Sequence, residues 1–419
     1  MAEWLYHSTS GSTSVAGILI SLSIMLLVGF AMTRVSKLLR LPNVTAYIVT
    51  GILIGPYVLN MIPTSFIEGT DFLADVALAF IAFSVGEHFE FRKLRKNGME
   101  SMVITLFEAL TASLCVFLLT YLVLGLDFVF SIVLAALASA TAPASTMMTI
   151  RQTGAKGDYV DTLLQVVAMD DVVGLVAYSI AIAAASSMIQ GADGAGGFRS
   201  VVLPALINVL LMGIGAFFAW VLKLMMPTRR TADNRLIIAV AILLLFSGVS
   251  ALLDVSPLLG CMVMGMVFAN IEGHEKLFKQ LNYFSPPILL LFFVRSGLSF
   301  DLSAFTSRAT IGSQSLLLVA VLYFVIRLVG KYVGAYIGAL VTGKSKEVRR
   351  YLGLALAPQA GVAIGLAALV ARQLGPDVGG TLQTIILASS VLYELIGPAS
   401  AKLGLYLSGS YDSDNTAVH

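Results

Sequence analysis

Apolar runs of about 20 residues recur along this whole chain, and no other feature of the sequence restricts its fold as strongly. A helix of that length crosses the hydrocarbon core of a bilayer, which is about 30 Å thick. Hydrophobic residues make up 58% of the 419 residues and charged residues only 12%, whereas ordinary globular chains carry about 25% charged residues. A soluble globular domain is therefore excluded, and the sequence predicts an all-α polytopic membrane protein.

The apolar runs predict thirteen transmembrane helices. Their approximate bounds are 15–33, 44–60, 71–90, 100–122, 128–150, 159–187, 200–225, 235–253, 256–271, 283–300, 312–341, 350–371 and 380–403. Most of the 26 Lys and Arg residues fall in alternate connections between these spans, and cytoplasmic loops carry such an excess of basic residues. We therefore expect a cell (plasma or inner) membrane protein with its N-terminus outside and its C-terminus in the cytoplasm.

Two adjacent aspartates, Asp170 and Asp171, lie in the middle of the apolar run LLQVVAMDDVVGLVAYSIAIAAA. A carboxylate at the centre of a membrane helix costs about 2.5–3.5 kcal/mol on insertion scales. Two such groups need a compensating role, and the usual one is to bind a proton, a metal cation or a cationic side chain. The pair therefore indicates a pathway for cations or protons, although a doubly satisfied structural pair is the alternative.

Further charged residues lie within the predicted spans or at their ends, namely Glu87, Glu108, Arg295, Arg327, Lys331 and Glu394. We expect Glu87 and Arg295 to pair as a buried brace. Arg327 either holds neighbouring helices together or extends its charged end to the membrane surface. Glu394 serves either the pathway or helix packing through a hydrogen bond.

Three segments of the first half recur in outline, in the same order, in the second half. They are AYIVTGILIGP with LLGCMVMGMVF, FSVGEHFEF with FVRSGLSFDL, and ALASATAPAS with LALAPQAGVAIG. Seven predicted spans separate the members of each pair, and an odd number places the second copy upside down in the membrane. The sequence thus predicts an inverted-topology repeat, which is typical of secondary transporters.

The third of these pairs carries a proline near the middle of each span, at Pro143 and Pro358. Proline removes a backbone donor and clashes with the preceding helical turn, so each residue indicates at least a kink. Because the prolines occupy matching places in the two halves, we predict two crossed broken helices. Irregular backbone at this depth is tolerated where it lines a cavity, and its carbonyl groups and half-helix dipoles suit an ion site.

Several of these motifs together resemble the monovalent cation/proton antiporter superfamily, over nearly the whole chain. The Asp-Asp pair on the sixth span, GKYVGAY around Lys331, and the TAP and PQAG breaks are similar to those of electrogenic bacterial sodium/proton antiporters. GILIGP resembles the Kef-type branch, here without its nucleotide-binding domain. The resemblance implies that Asp171 binds the cation while Asp170 pairs with Lys331. It also implies a site lined by Thr141, Ala142, Pro143, Pro358, Gln359 and Gly361.

The resemblance further implies a core domain that moves against a scaffold domain, and a homodimer formed by the scaffold. The corresponding segments are an extracytoplasmic N-terminus (1–14), the scaffold (15–99 and 200–311), the core (100–199 and 312–403) and a cytoplasmic tail (404–419). Arg295 departs from the simplest family pattern, and an acidic partner would compensate it. We expect Na⁺ or K⁺, protons and the lipid bilayer as partners, with no nucleic acid, no cofactor and no enzymatic activity.

These expectations describe a secondary active transporter that exchanges Na⁺, with Li⁺ and K⁺ as alternatives, for protons by alternating access. One site that holds either protons or a cation gives exchange when it faces each side in turn. Lysine suits the partner role because burial readily changes its protonation, whereas arginine stays charged. If Lys331 also releases a proton, the exchange is electrogenic.

Three other classes of membrane protein are alternatives to this transporter. A sodium-coupled symporter of organic anions has a related fold, but adjacent aspartates disfavour an anionic substrate. An intramembrane aspartyl protease needs aspartates on separate helices in YD and GxGD settings, and neither setting occurs in the sequence. A channel or sensory protein would use the breaks as a pore, and the sequence does not separate this case from a transporter.

Overall fold

Helices form nearly all of the regular structure of the chain. The computed structural model describes residues 15–38, 43–87, 89, 91–142, 146–147, 149–150, 153–189, 199–226, 232–252, 257–271, 275–300, 310–311, 314–359 and 361–411. The first half contains α1 Val15–Leu38, α2 Asn43–Ile54, α3 Thr64–Gly69, α4 Phe72–Gly86, α5 Phe91–Phe117, a π-helical turn Leu118–Val123, α6 Phe128–Ser139 and α7 Asp158–Ile189.

The described residues of the second half are also mostly helical, and they include one short hairpin. It contains α8 Arg199–Met225, α9 Ala232–Leu252, α10 Leu258–Ala269, α11 Glu275–Phe284, α12 Pro286–Leu298, the antiparallel strands β1 Thr310–Ile311 and β2 Gln314–Ser315, α13 Leu316–Val341, α14 Lys346–Ala355, α15 Gly361–Gly375, a π-helical turn Pro376–Gly380 and α16 Thr381–Leu407.

The membrane-spanning capacity of these helices follows from their length and composition. Six within the described residues are long and apolar enough to span, namely Val15–Leu38, Gly98–Val123, Asp158–Ala185, Asp233–Leu252, Leu316–Val341 and Asp377–Leu407. Helices α11 and α12, which meet at a bend of 48°, form a seventh if taken together. The other apolar helical segments, which include Val209–Met225 of α8, have 10–17 residues. The chain is a multi-pass membrane protein, whereas the count of thirteen spans and the inverted repeat stay predictions.

Two predicted spans are interrupted, and their interruptions touch. Helix α6 ends at Ser139, well before the predicted end at residue 150, and the span 350–371 is broken between α14 and α15. The backbone N–H of Ala142 donates to the carbonyl oxygen of Pro358 at 2.9 Å. The side-chain amide of Gln359 donates to the Leu137 carbonyl oxygen at 2.7 Å. These bonds satisfy backbone groups that the broken helices leave without partners.

Helix α13 lies very close to α5 along a row of glycines at Gly330, Gly334 and Gly338. A Cβ atom added to Gly334 would lie only 2.5 Å from the Cα atom of Glu108. Small residues spaced four apart let membrane helices approach at backbone distance. This approach places the next charged residue of α13, Lys331, against α5.

Other helices are held together in the same way. The backbones of α2 and α12 meet at Gly51 and Gly297, and α4 meets α10 at Gly265, where an added Cβ would lie 2.1 Å from the Phe83 oxygen. Helix α7 packs against α5, α6 and α8. The predicted division into scaffold and core stays a prediction, and α5 crosses its boundary at residue 99.

The ends of several elements differ from the predicted bounds. Helix α2 ends at Ile54 and not near residue 60, because the following Gly-Pro leads into a turn. Helix α16 continues to Leu407, so the predicted tail from residue 404 begins inside a helix. The start of that tail packs on the loop before α7, where the Lys156 N–H donates to the Ser410 oxygen at 3.2 Å. Residues 1–14 and 412–419 lie outside the described residues.

Candidate functional site

Asp170 and Asp171 lie on α7 at the level of the first helix break. The two residues are 0% and 1% exposed. One turn further along α7, a Cβ added to Gly174 would lie 3.3 Å from both the Ala140 Cβ and the Ser139 Oγ. Because α7 approaches the break this closely, both aspartates lie beside the irregular backbone that follows α6.

Lys331 lies in the middle of this region and contacts three acidic or polar groups. Its Nζ lies 2.8 Å from Asp170 Oδ2 and 2.7 Å from Glu108 Oε2, and all three side chains are fully buried. The same ammonium group donates to the carbonyl oxygen of Ser139. Three helices and the first break therefore meet at one amine, which donates hydrogen bonds to Asp170 and Ser139 and forms an ion pair with Glu108.

Glu108 was noted in the sequence but not assigned to the site. Hydropathy gives no information about which helix lies opposite a charged residue. The signal that could have found it is the glycine row on α13, because such a row requires a close partner helix. Among the charged residues described in the predicted spans, Glu108 is the one that faces this row at backbone distance.

Several oxygens in this region are buried without a hydrogen-bond partner among the described residues. They include both carboxylate oxygens of Asp171, the Oδ1 atom of Asp170 and the hydroxyl of Thr141. An unpaired buried carboxylate is strongly unfavourable, so it either takes up a proton or binds a cation. Carboxylate, hydroxyl and carbonyl oxygens are the ligands that hard cations prefer.

The remaining residues predicted to line the site are placed as follows. Ala142 and Pro358 are joined by the hydrogen bond between the two breaks. Gln359 is fully buried and its side-chain oxygen accepts a hydrogen bond from the Tyr323 hydroxyl at 3.0 Å. Gly361 begins α15. Pro143 lies outside the described residues.

Arg327 lies fully buried one turn before Lys331 and holds the two breaks together. Its guanidinium donates to the carbonyl oxygens of Ala138, Ala140 and Ala357 at 2.9, 2.6 and 3.0 Å. It also lies 4.6 Å from the centre of the Tyr393 ring. A positive charge at the carboxyl ends of two helices is stabilising. Of the two roles considered for Arg327, the structure supports helix bridging and not extension to the membrane surface.

The predicted brace between Glu87 and Arg295 is wrong in its acidic partner. Arg295 instead forms its ion pair with Asp71, and it also donates to the Ile67 carbonyl oxygen at 3.1 Å. Asp71 precedes α4, whereas Glu87 follows its last residue, so the two carboxylates lie at opposite ends of one helix. Glu87 is half-buried there.

Arg295 lies away from the aspartate pair. Arg295 joins Asp71 in lining a cavity near the ends of α3 and α4. Glu394 is buried on α16. The acidic partner of Arg295 among the described side chains is Asp71, and not Asp170 or Asp171. The structure therefore gathers Asp170, Lys331 and Glu108 into one cluster beside Asp171, whereas Arg295 lies outside it.

The chain as a whole is similar to known proteins in sequence and in fold. A family model described as sodium/hydrogen exchanger, transmembrane, matches residues 21–397. The fold is similar to the sodium proton antiporter MjNhaP1 from Methanocaldococcus jannaschii at pH 8, with a TM-score of 0.75 and 17% identity over 94% of this chain and 99% of that one.

A structure of the same antiporter from an electron-microscopy map gives a TM-score of 0.72 and 16% identity, over 94% of this chain and 98% of that one. No curated protein matches the chain. At these identities the structural likeness concerns the fold, while the family model extends over most of the sequence. The chain therefore belongs to the sodium/hydrogen exchanger family of transmembrane proteins.

Proposed function

We propose that this chain exchanges Na⁺ for protons across a membrane by alternating access at Asp170 and Asp171. Cation/proton antiport is the activity of the family to which the chain belongs. The observation that carries the assignment to these residues is the Asp171 carboxylate, which is 1% exposed and has both oxygens without a hydrogen-bond partner among the described residues. A group in that state is suited to hold a proton and to release it when a cation arrives.

The exchange follows from competition for the same oxygens. A cation at Asp171 would draw on the free Oδ1 atom of Asp170 and on the Thr141 hydroxyl, which also lacks a partner among the described residues. Proton and cation cannot occupy the carboxylate together, so each leaves when the other binds. Movement of the core against the scaffold would then expose the site to each side in turn.

Lys331 is the group through which we propose that exchange becomes electrogenic. When Asp170 turns toward a bound cation, the ammonium group loses one of its two ionic partners and can release a proton. Two protons would then exchange for one cation, and membrane potential would drive transport at about 2.3 kcal/mol per charge per 100 mV. Glu108 opposes this release, because it holds the ammonium group from α5 at 2.7 Å.

The proposal extends to the cation, the assembly and the orientation. Li⁺ and K⁺ are alternative substrates, because carboxylate and hydroxyl oxygens bind each of these ions. The chain acts without enzymatic chemistry or a cofactor, as a homodimer in the cell membrane, with its N-terminus outside and its C-terminus in the cytoplasm. A sodium-coupled organic anion symporter is less favoured, since the family match and the buried carboxylates both favour a cation.

The test is exchange in proteoliposomes that contain a pH-sensitive dye, with Na⁺, Li⁺ or K⁺ added outside. We expect a cation-dependent change in internal pH that Asp171→Asn abolishes. Asp161→Asn is the matched control, because Asp161 lies exposed on the same helix and should leave exchange unchanged. Full exchange by folded Asp171→Asn protein would overturn the site assignment. No exchange by wild type with any of the three cations would overturn the proposed substrate class.

A further inference from the structure

Two ion pairs lie at one end of the molecule, where α3, α4 and α12 of the predicted scaffold face α15 and α16 of the predicted core. They surround a cavity of about 450 Å³, whose walls include Ala74, Arg295, Ala368, Arg372 and Gln383. The predicted topology places this end outside the cell. The cavity lies away from Lys331 and the aspartate pair, and the exchange chemistry does not use it.

One of the two ion pairs joins α4 directly to α15. The Arg372 guanidinium donates to both carboxylate oxygens of Asp75, at 2.8 and 2.6 Å. This paired geometry is the strongest form of an arginine–carboxylate contact. The Arg372 side chain is nevertheless 39% exposed, so water can replace Asp75 as its partner and the contact can break and form again.

Apolar packing continues from this ion pair toward the helix breaks. Ala74 and Ala368 line the cavity and belong to the same apolar cluster as Ala142 of the first break. One turn deeper, a Cβ added to Gly365 would lie 2.0 Å from the Leu78 side chain. The contact therefore runs over two turns of α15, about 10 Å, and separates the cavity from the buried site.

The two helices of this contact are each fixed to a different part of the molecule. Helix α15 contacts α7, the helix that carries the aspartates. The Tyr178 hydroxyl of α7 donates to the side-chain oxygen of Gln373 on α15 at 3.0 Å. Helix α4 is packed against α10 at backbone distance. The second ion pair, between Arg295 and Asp71, stays on the scaffold side and fixes α12 beside the start of α4.

We propose that Arg372 and Asp75 form a latch that closes the outer end of the cation path and must open once in each transport cycle. The proposal rests on the proposed function, since only alternating access requires the contact between α4 and α15 to separate. When the latch opens, the cavity joins the space between the two helices and extends toward the breaks. When it closes, the bidentate ion pair and the apolar contact beneath it exclude water from that route.

The experiment measures access to the cavity wall. The reporter is a cysteine introduced by Gln383→Cys, because Gln383 lines the cavity and is 8% exposed. The two native cysteines are removed by Cys115→Ser and Cys261→Ala. A membrane-impermeant maleimide is then added outside to right-side-out vesicles. We expect labelling to become several-fold faster in Asp75→Asn and in Arg372→Gln, because either change removes the ion pair. The reversed pair, Asp75→Arg with Arg372→Asp, should return labelling toward the starting rate.

The matched control is the ion pair between Lys344 and Glu100, which joins the end of α13 to α5 at 2.9 Å. Glu100→Gln should leave labelling unchanged. Thermal unfolding midpoints show which variants are folded. If Arg372→Gln does not fold, Asp75→Asn alone tests the ion pair. Unchanged labelling in folded Asp75→Asn and Arg372→Gln would overturn the latch.

Labelling and transport separate the two proposals, because labelling needs no ion gradient. Exchange by wild type together with unchanged labelling in the latch variants would overturn the latch and leave antiport intact. Faster labelling in those variants without exchange by wild type would overturn antiport and leave a gated cavity. Faster labelling together with slower exchange in the folded latch variants is the result that we expect.

Discussion

Among the single residues, Lys331 has the most demanding surroundings. Its ammonium group is fully buried between carboxylates from two other helices and a backbone carbonyl from the first break. Such a cation is stable only because all of its partners are present, and removal of any one leaves an unbalanced charge in a medium of low dielectric. Asp171, in contrast, has no partner of its own among the described residues.

Replacement of Glu108 by glutamine tests whether Glu108 and Asp170 compete for the ammonium group of Lys331. The amide keeps the shape but removes one negative charge 2.7 Å from Nζ, so Lys331 should hold Asp170 more tightly and Asp170 should be less available to a cation. We expect apparent cation affinity to fall by roughly tenfold, which corresponds to about 1.4 kcal/mol. The measurement is the cation concentration that gives half-maximal exchange in proteoliposomes.

Glu108→Asp is the control for this prediction, since it retains the charge with a shorter side chain and should affect affinity less. Folding is monitored by the thermal unfolding midpoint, which should fall in Glu108→Gln because a buried ion pair of Lys331 is lost. An unchanged affinity in Glu108→Gln would mean that Glu108 does not compete with Asp170 for the lysine.

Among the elements, the contact between α5 and α13 determines whether this cluster can form. The glycine row on α13 brings Lys331 to α5, and the first break supplies the Ser139 carbonyl. Arg327 then joins the carboxyl ends of α6 and α14 at the same level. The site is thus built from one close helix contact and two interrupted helices, and each depends on the others.

Gly334→Ala should disturb this contact, since the new Cβ would lie 2.5 Å from backbone atoms of Phe107 and Glu108. Backbone cannot move aside as a flexible side chain can, so we expect a loss of roughly 1–3 kcal/mol in stability. Exchange should also fall, because the ammonium group of Lys331 moves away from Glu108. Thermal unfolding and proteoliposome exchange measure the two effects.

The comparison for Gly334→Ala is Gly213→Ala on α8, where an added Cβ has no atom within 4 Å. Alanine has the higher helix propensity, by about 1 kcal/mol, so this variant should be as stable as wild type or more stable. If Gly334→Ala behaved in the same way as Gly213→Ala, the close approach of α13 to α5 would be contradicted.

For the whole molecule, we propose that the charge moved in one transport cycle depends on whether Lys331 gives up its proton. We expect Lys331→Gln to be less stable by roughly 3–5 kcal/mol, because two buried carboxylates lose their cation. We also expect its exchange to respond less to membrane potential. The measurement is the exchange rate in proteoliposomes with an imposed potassium diffusion potential, compared with wild type.

Lys331→Arg separates the charge of this residue from its proton. Arginine retains the charge but stays protonated, so this variant should be more stable than Lys331→Gln and equally weak in its response to potential. A response like that of wild type in either variant would refute the proton-carrying role of Lys331, and exchange would then be one proton for one cation.

The sequence by itself determined that the chain is a helical multi-pass membrane protein of this exchanger family. Hydropathy is a sum over neighbouring residues, so apolar runs and the exceptional pair Asp170 and Asp171 can be read directly from the chain. The prolines similarly indicated interruptions, because proline acts on its own helix. These features are local, and no knowledge of distant contacts is needed to predict them.

Only the tertiary structure decided which distant groups meet. It gave Lys331 a second carboxylate in Glu108, gave Arg295 the partner Asp71 in place of Glu87, and joined Arg372 to Asp75. The sequence could not select these partners, because each charged residue in an apolar helix has several oppositely charged candidates at a similar depth. The choice depends on which helices approach closely, and that follows from packing across the whole molecule.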